Sequence, residues 1–230
     1  MNSTAILKRL KSMRDPVSLA GMARFGINPH QNYGISVVKL RAIAKEIGKD
    51  HALGMELWDS GIHDARLLAV LISDPLQVTG EQMEQWVHDF DSWDICDGCC
   101  LHLFDRAPMV YAKVRLWMKA DEEFVKRAGF TLMAVLAVHD KKAKDAVFEA
   151  FLKSIERYAN DERNYVKKAV NWALRQIGKR NLQLHAKALE SAYRIKAQPS
   201  KSARWIAADA IRELESQPVR ERLQKKSKNH

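Results

Sequence analysis

The chain of 230 residues contains only 10 Gly and 6 Pro, so breakers are few and the segments between them lack strand alternation. Its 3 Cys, at positions 96, 99 and 100, are odd in number and too close together for a disulfide framework, which agrees with a reducing compartment. Long apolar runs are also missing. The longest, TLMAVLAV from Thr131 to Val138, falls far short of the about 20 residues that cross a bilayer. The N-terminal MNSTAILKRLKSMRDP reads as a short amphipathic basic helix, without the continuous apolar core and small-residue cleavage site of a signal peptide. A cytoplasmic protein with no membrane contact is expected. Acidic charge is in the minority, and the net charge of +10 at pH 7 favours a polyanionic partner, with nucleic acid ahead of an acidic membrane surface or an acidic protein. With 47% hydrophobic and 29% charged residues, the composition is that of a chain with a buried core and excludes a disordered one.

Between the few breakers the apolar residues recur with a helical period. Leu67, Leu68, Leu71 and Ile72 line one helix face with Arg66 at its edge, as side chains four apart stack above each other on a helix. The same texture predicts helices near 3–14, 16–25, 36–48, 50–59, 62–74, 80–90, 93–106, 109–119, 122–138, 141–159, 162–178, 182–195 and 200–215. Ser36, Asp121, Asp161 and Ser200 suit N-caps, and Pro16 and Pro108 a first helical turn. The fold class expected is all-α.

Short helices joined by short connections raise the question of repeats. Val125-Lys126-Arg127-Ala128 is echoed by Val166-Lys167-Lys168-Ala169 at an offset of 41 residues, each after an Asp-Glu start at Asp121 or Asp161. That offset falls in the range of about 40–47 residues found in HEAT and armadillo repeats. Arg66 in DARLLAVLI and Arg204 in SARWIAADAI occupy similar places in their helices, and Asp97 lies 31 residues after Arg66 and 30 before Arg127. A right-handed α-solenoid follows, whose inner helices present Arg66, Asp97, Arg127, Lys168 and Arg204 at equivalent positions. Its concave surface is then a basic cleft interrupted by one carboxylate. The plainer alternative is that the arginines pack between repeats and pair with neighbouring acids. One domain is expected over 1–219, followed by a basic, frayed tail over 220–230.

The least ordinary segment is FDSWDICDGCC, from Phe90 to Cys100. On a helix starting near Ser92, Trp93 and Asp97 are i and i+4 and emerge side by side, while Asp94 points elsewhere and is assigned a structural role. Trp172 and Trp205 lie on later inner helices. Aromatic rings beside Lys and Arg suit nucleic acid, since indole packs on sugars and bases while the cations hold phosphates. The alternative for Trp93 is a core anchor, with Asp94 or Asp97 as a helix cap.

At these residues the sequence resembles the AlkD-type DNA alkylation repair glycosylases, which are built of HEAT-like repeats. The likeness runs from about Met22 to Glu215. It rests on MARF (Met22–Phe25), GISVVKLRAIAKEIG (Gly34–Gly48), LWDSGIHDARLLAVLI, SWDICD, FVKRAGFTLMAVLA and YVKKAVNWALRQIGK in family order. The resemblance implies that Trp93, Asp97 and Trp172 are the catalytic residues and that Arg127 contacts DNA. Arg66, Lys168 and Arg204 join it as DNA-binding candidates by their repeat positions. The implied reaction is hydrolysis of the N-glycosidic bond of cationic N3- or N7-alkylpurines in duplex DNA by a monofunctional glycosylase, leaving an abasic site. The expected partner is duplex DNA containing alkylated bases and the expected state a monomer, with no cofactor and no metal.

A cationic alkylpurine is already a good leaving group and needs no general acid. One carboxylate beside C1′ is enough to stabilise the oxocarbenium character of the sugar, with indole faces adding cation–π stabilisation. Two other readings remain open: a non-catalytic helical-repeat binder of damaged or branched DNA, and a protein-interaction scaffold for an acidic peptide. Cys96, Cys99, Cys100 and His102 resemble half a zinc site, but no second ligand pair at comparable spacing exists, so the thiols are assigned to the core.

Overall fold

A computed structural model describes residues 2–228, apart from the side chain of Ser227. Among the described residues there are fourteen α-helices, two short 3-10 turns and no strand. The chain forms two compact units, Met1–Val110 and Tyr111–His230.

In the first unit the helices are α1 (Ser3–Ser12), α2 (Pro16–Arg24), α3 (Val37–Ile47), α4 (His51–Asp59), α5 (His63–Ile72), α6 (Gly80–His88) and α7 (Trp93–His102). Helix α5 is the centre, packed on α3, α4 and α7 and buried at Leu67, Leu68, Val70 and Ile72 among others. Trp58 of α4 and Trp86 of α6 stack with ring centroids 3.9 Å apart and planes 2° from parallel, and both are fully buried. Stacked rings of this size bring a large apolar area to the core together with a defined geometry. Helix α2 is the exception, because none of its residues is buried.

The second unit follows a turn holding Pro108, so that residue precedes α8 instead of starting it. It comprises α8 (Val110–Trp117, which begins at the last residue of the first unit), α9 (Glu123–His139), α10 (Asp145–Tyr158), α11 (Asn164–Gly178), α12 (Leu182–Lys196), α13 (Lys201–Leu214) and α14 (Gln217–Lys228). Helices α9, α11 and α13 pack in succession, and α10 packs on α12, which gives two layers of repeated helix pairs. The repeat can be seen in the bonds that join one pair to the next. Tyr165 N donates to Glu123, 42 residues away; Ser202 Oγ to the Asp161 carbonyl, 41 away; Asn171 to Asp209, 38 away. A period near 40 residues is therefore a property of the packing as well as of the sequence. Gly129 of α9 lies where a Cβ would come within 2.6 Å of the Met118 backbone nitrogen, so only glycine allows this helix to lie so close to the end of α8.

Several expected boundaries differ. Helix α7 ends at His102, where Leu103 (φ −137°, ψ −61°) breaks the helix before the 3-10 turn Phe104–Arg106. Helix α10 starts at Asp145 because the Asp140 carboxylate accepts from the backbone nitrogens of Lys142 and Ala143 and folds that stretch into a turn, a local bond that competes with helix. The N-caps of α9 and α11 are Glu122 and Arg163 instead of Asp121 and Asp161, whereas Ser36 and Ser200 cap as expected. Beyond residue 219, where a frayed tail is expected, the chain runs on as α14. Its Leu223 is buried and the Lys226 ammonium donates to the Lys179 carbonyl, which ties down a segment whose polarity alone suggests fraying. Asn229 and His230 of that tail lie outside the described residues.

Candidate nucleic-acid interface

Helix α7 carries Trp93 at its first position and Asp97 one turn later. Both are partly accessible, while Ile95, Cys96, Cys99 and Cys100 fill the buried face. The sequence sorts the helix this way because apolar residues and small thiols occupy 95, 96, 99 and 100, leaving 93, 94 and 97 on the other side. The Trp93 indole Nε1 donates to the Phe25 carbonyl at 3.0 Å, which fixes the ring in orientation. Phe25 itself is 76% exposed.

The loop that supplies this carbonyl is fastened at several points. Asn28 donates to Asp91 at 2.6 Å, just before α7. The fully buried Asp64 accepts from the backbone nitrogens of Tyr33 and Ile35 at 2.6 and 2.8 Å, and His63 N donates to the Gln31 carbonyl. Gly34 has φ +77° and lies where a Cβ would come within 2.5 Å of the Asp15 carbonyl oxygen, so the turn requires glycine. A carboxylate that accepts two backbone bonds stabilises an irregular loop whose amides would otherwise lack partners.

The carboxylate next to Trp93 is engaged with the protein. Asp94 accepts from His63 Nε2 at 2.9 Å and from its own helix at Ile95 N, and its side chain is only 16% exposed. The three cysteines are fully buried. Burial pushes the Cys99 and Cys100 thiols well above their ordinary value; Cys96 and the nearby Asp97 charge add to the shift at Cys100. All three pack the core under the Trp93 and Asp97 face, Cys99 and Cys100 as neutral thiols. Among the described residues no group of three or more His, Cys, Asp or Glu is placed to hold a metal ion.

Arg66 on α5 is engaged with the protein. Its Nη1 donates to the Asp89 carbonyl at 3.0 Å, Nη2 lies 3.5 Å from the Asp89 carboxylate, and the guanidinium sits 5.1 Å over the Trp58 ring. Asp89 also accepts from Trp58 Nε1 at 2.8 Å. Arg66 therefore braces the tryptophan stack, in the manner of the plainer reading of the repeat arginines.

In the second unit the expected residues fall on the layer of α9, α11 and α13. Each cation lies near its helix start: Arg127 is the fifth residue of α9, Lys168 the fifth of α11 and Arg204 the fourth of α13. Arg127 is buried, with Nη1 donating to the Tyr165 carbonyl at 2.8 Å. Lys168 and Arg204 are exposed, Arg204 donating to the Pro199 carbonyl at 2.7 Å. Trp172, one turn after Lys168, is partly accessible. The structure adds a pair that the sequence reading did not join: the Lys167 ammonium lies 5.5 Å over the ring of Trp205, which is 42% exposed. Their separation of 38 residues, close to one repeat, is the signal that would have linked them. A half-exposed ring with a cation on its face is a surface suited to nucleotides. No helix among the described residues is long and apolar enough to cross a membrane.

Comparison with known proteins agrees with this architecture. The chain is 24% identical over 163 residues to the uncharacterized protein Lin0241 of Listeria innocua and 23% identical to Lmo0209 of Listeria monocytogenes, in each case over 70% of both chains. In structure it is similar, with a TM-score of 0.77 and 18% identity, to a member of a family described as related to the HEAT-like repeat DNA glycosylases with affinity for branched DNA structures, covering 93% of this chain and 95% of that one. This likeness shows the HEAT-like helical-repeat fold. The sequence pattern of the DNA alkylation repair enzymes matches residues 6–214, and the chain belongs to the DNA alkylation repair enzyme family.

Proposed function

We propose that this protein is a cytoplasmic monofunctional DNA glycosylase that removes cationic N3- or N7-alkylpurines from duplex DNA. The observation that carries the reading is the pairing on α7 of an oriented, accessible indole with a carboxylate one turn away. Asp97 stabilises positive charge at C1′ as the bond to the base breaks; the bonding electron pair leaves with the purine and neutralises it. A water oxygen then bonds to C1′, its proton passing to Asp97 or to solvent. Trp93 places its π-face against the cationic nucleotide. No group is needed to protonate the leaving base, unlike the hydrolysis of ordinary glycosides, where a second carboxyl does so.

Lys168 and Arg204 hold backbone phosphates. Arg127, buried with Nη1 on the Tyr165 carbonyl, braces α9 against α11 behind them, and Trp172 offers aromatic surface to the DNA. Arg66 acts as a brace, because its donors face Asp89 and its plane covers Trp58. The reading is tested by release of methylated purine from alkylated duplex DNA. Activity is expected in the wild-type protein and lost in Asp97→Asn with DNA binding retained; equal release by both proteins overturns the role given to Asp97.

A second reading, a non-catalytic binder of branched DNA, is motivated by the affinity described for the structurally similar family. It predicts tight binding to a four-way junction and no base release from any alkylated duplex.

A further inference from the structure

At the far end of α11 from Lys168, the second unit holds a cavity of about 790 Å³ lined by Lys141, Asp145, Arg180, Asn181, Leu223 and Lys226, among others. Twelve residues separate Lys168 from Arg180, which at helical rise puts them roughly 18 Å apart along the axis. The cavity is therefore distinct from the surface near the helix starts.

Its electrostatics are one-sided. Lys141, Arg180 and Lys226 line it, and Arg222 is close enough to act on Lys226. The one acid lining it, Asp145, already accepts both bonds from the Asn181 amide at 3.0 and 2.9 Å and lies 4.0 Å from Arg180. Arg180 is a built part of the wall. Its side chain is 9% exposed, it donates to the Ala137 and Ala143 carbonyls at 3.0 Å each, and it sits 4.3 Å over the Phe148 ring. Helix α12 starts at the same place, with Asn181 capping Leu184 N, so the positive end of a 15-residue helix adds to the field. Burial, followed by repulsion from Arg222, Lys141 and Arg180, lowers the Lys226 ammonium below its ordinary value. Cations brought together against their mutual repulsion are stabilised by a bound anion.

We propose that this cavity is a phosphate-binding site, separate from the Lys168 surface and independent of the reaction proposed above, with Lys141, Arg180 and Lys226 as its ligands. The phosphate belongs either to a nucleic-acid backbone that reaches this end of the layer or to a small phosphorylated molecule.

The test has two arms on the full chain. In the first, thermal melting is followed in inorganic phosphate and in chloride at equal ionic strength. Phosphate is expected to raise the wild-type midpoint and to have no such effect on Lys141→Gln/Lys226→Gln. In the second arm, duplex binding is measured against salt. Neutralising two phosphate contacts should lower the slope of log affinity against log salt by about 2. A reduced slope in the variant supports the site and assigns it to DNA, with or without a phosphate effect on melting. Loss of the phosphate effect with an unchanged slope supports the site and assigns it to a small phosphorylated ligand. An unchanged slope overturns the proposal if phosphate does not stabilise the wild type, or stabilises the variant equally. Should the double variant not fold, as judged by circular dichroism, Lys141→Gln alone, at an exposed lining position, gives the same readouts with a slope change of about 1.

Discussion

Asp94 Oδ2 lies 2.9 Å from His63 Nε2, joining the start of α7 to the start of α5, with the His63 side chain only 3% exposed. Asp97, three residues on, emerges on the Trp93 face of the same helix. Two carboxylates in one helical turn thus have separate roles, one in holding helices together and one at the proposed site. Asp94→Asn is expected to weaken the protein by about 1–3 kcal/mol in urea unfolding, as for a part-buried polar group deprived of a charged partner. It should leave base release per folded molecule within a few-fold of wild type. Asp97→Asn should reduce release by at least about 100-fold in protein that remains folded. If the two variants exchange these phenotypes, the assignment of the carboxylates is wrong.

Arg66 and Lys168 separate bracing from phosphate contact. Arg66→Ala loses its bonds to Asp89 and its cover over Trp58, so a loss of about 2 kcal/mol is expected in urea unfolding. The salt slope of DNA binding should not change. Lys168→Gln and Arg204→Gln, on exposed positions, should each reduce that slope by about 1 with little effect on stability. A reduced slope in Arg66→Ala would instead place its guanidinium on a phosphate.

Asp161 predicts an acid-dependent part of stability. Burial disfavours its charge, but bonds from the Arg163 guanidinium and backbone, aided by Lys126 at 3.3 Å, outweigh that and hold the carboxyl below its ordinary value. A lowered native value means that the stabilisation is fully present above the unfolded-state value, near pH ~4, and is lost as pH falls through the native value. The gap in urea midpoint between wild type and Asp161→Asn should be constant from pH 7 to about 5 and close on further acidification. A gap that persists unchanged to pH ~2.5 would count against this linkage.

The three buried cysteines predict slow thiol chemistry. All three are buried away from reagents, and the raised Cys99 and Cys100 thiols carry little thiolate at neutral pH. An aromatic disulfide reagent should label the native protein at the rate of its opening and the urea-unfolded protein at once. Rapid labelling of the native protein would show that the face of α7 opposite Trp93 is accessible.

Periodicity determined most of what the sequence could determine here. Apolar residues four apart fix which face of α11 is buried, whatever the neighbours, and so the helices and the offset of 41 residues between Arg127 and Lys168 could be read directly, whereas α5 is buried on nearly every side and leaves Leu71 of its expected stripe partly accessible. The pairing of Trp93 with Asp97 was legible for the same reason, since i and i+4 on a helix are adjacent by geometry. Boundaries set by side chains bonding backbone, as at Asp140, were not legible, because turn and helix differ there by one or two bonds that only the folded chain selects. Nor could the fate of each arginine be read. Arg66 and Arg204 occupy similar places in similar patterns, yet Arg66 finds Asp89, 23 residues away, over a buried tryptophan, while Arg204 stays at the surface. The meeting of Lys141, Arg180 and Lys226 around one cavity is also a product of tertiary structure alone. Helical pattern is a local property, whereas the partner of a long charged side chain depends on which distant segment packing brings within a few ångströms.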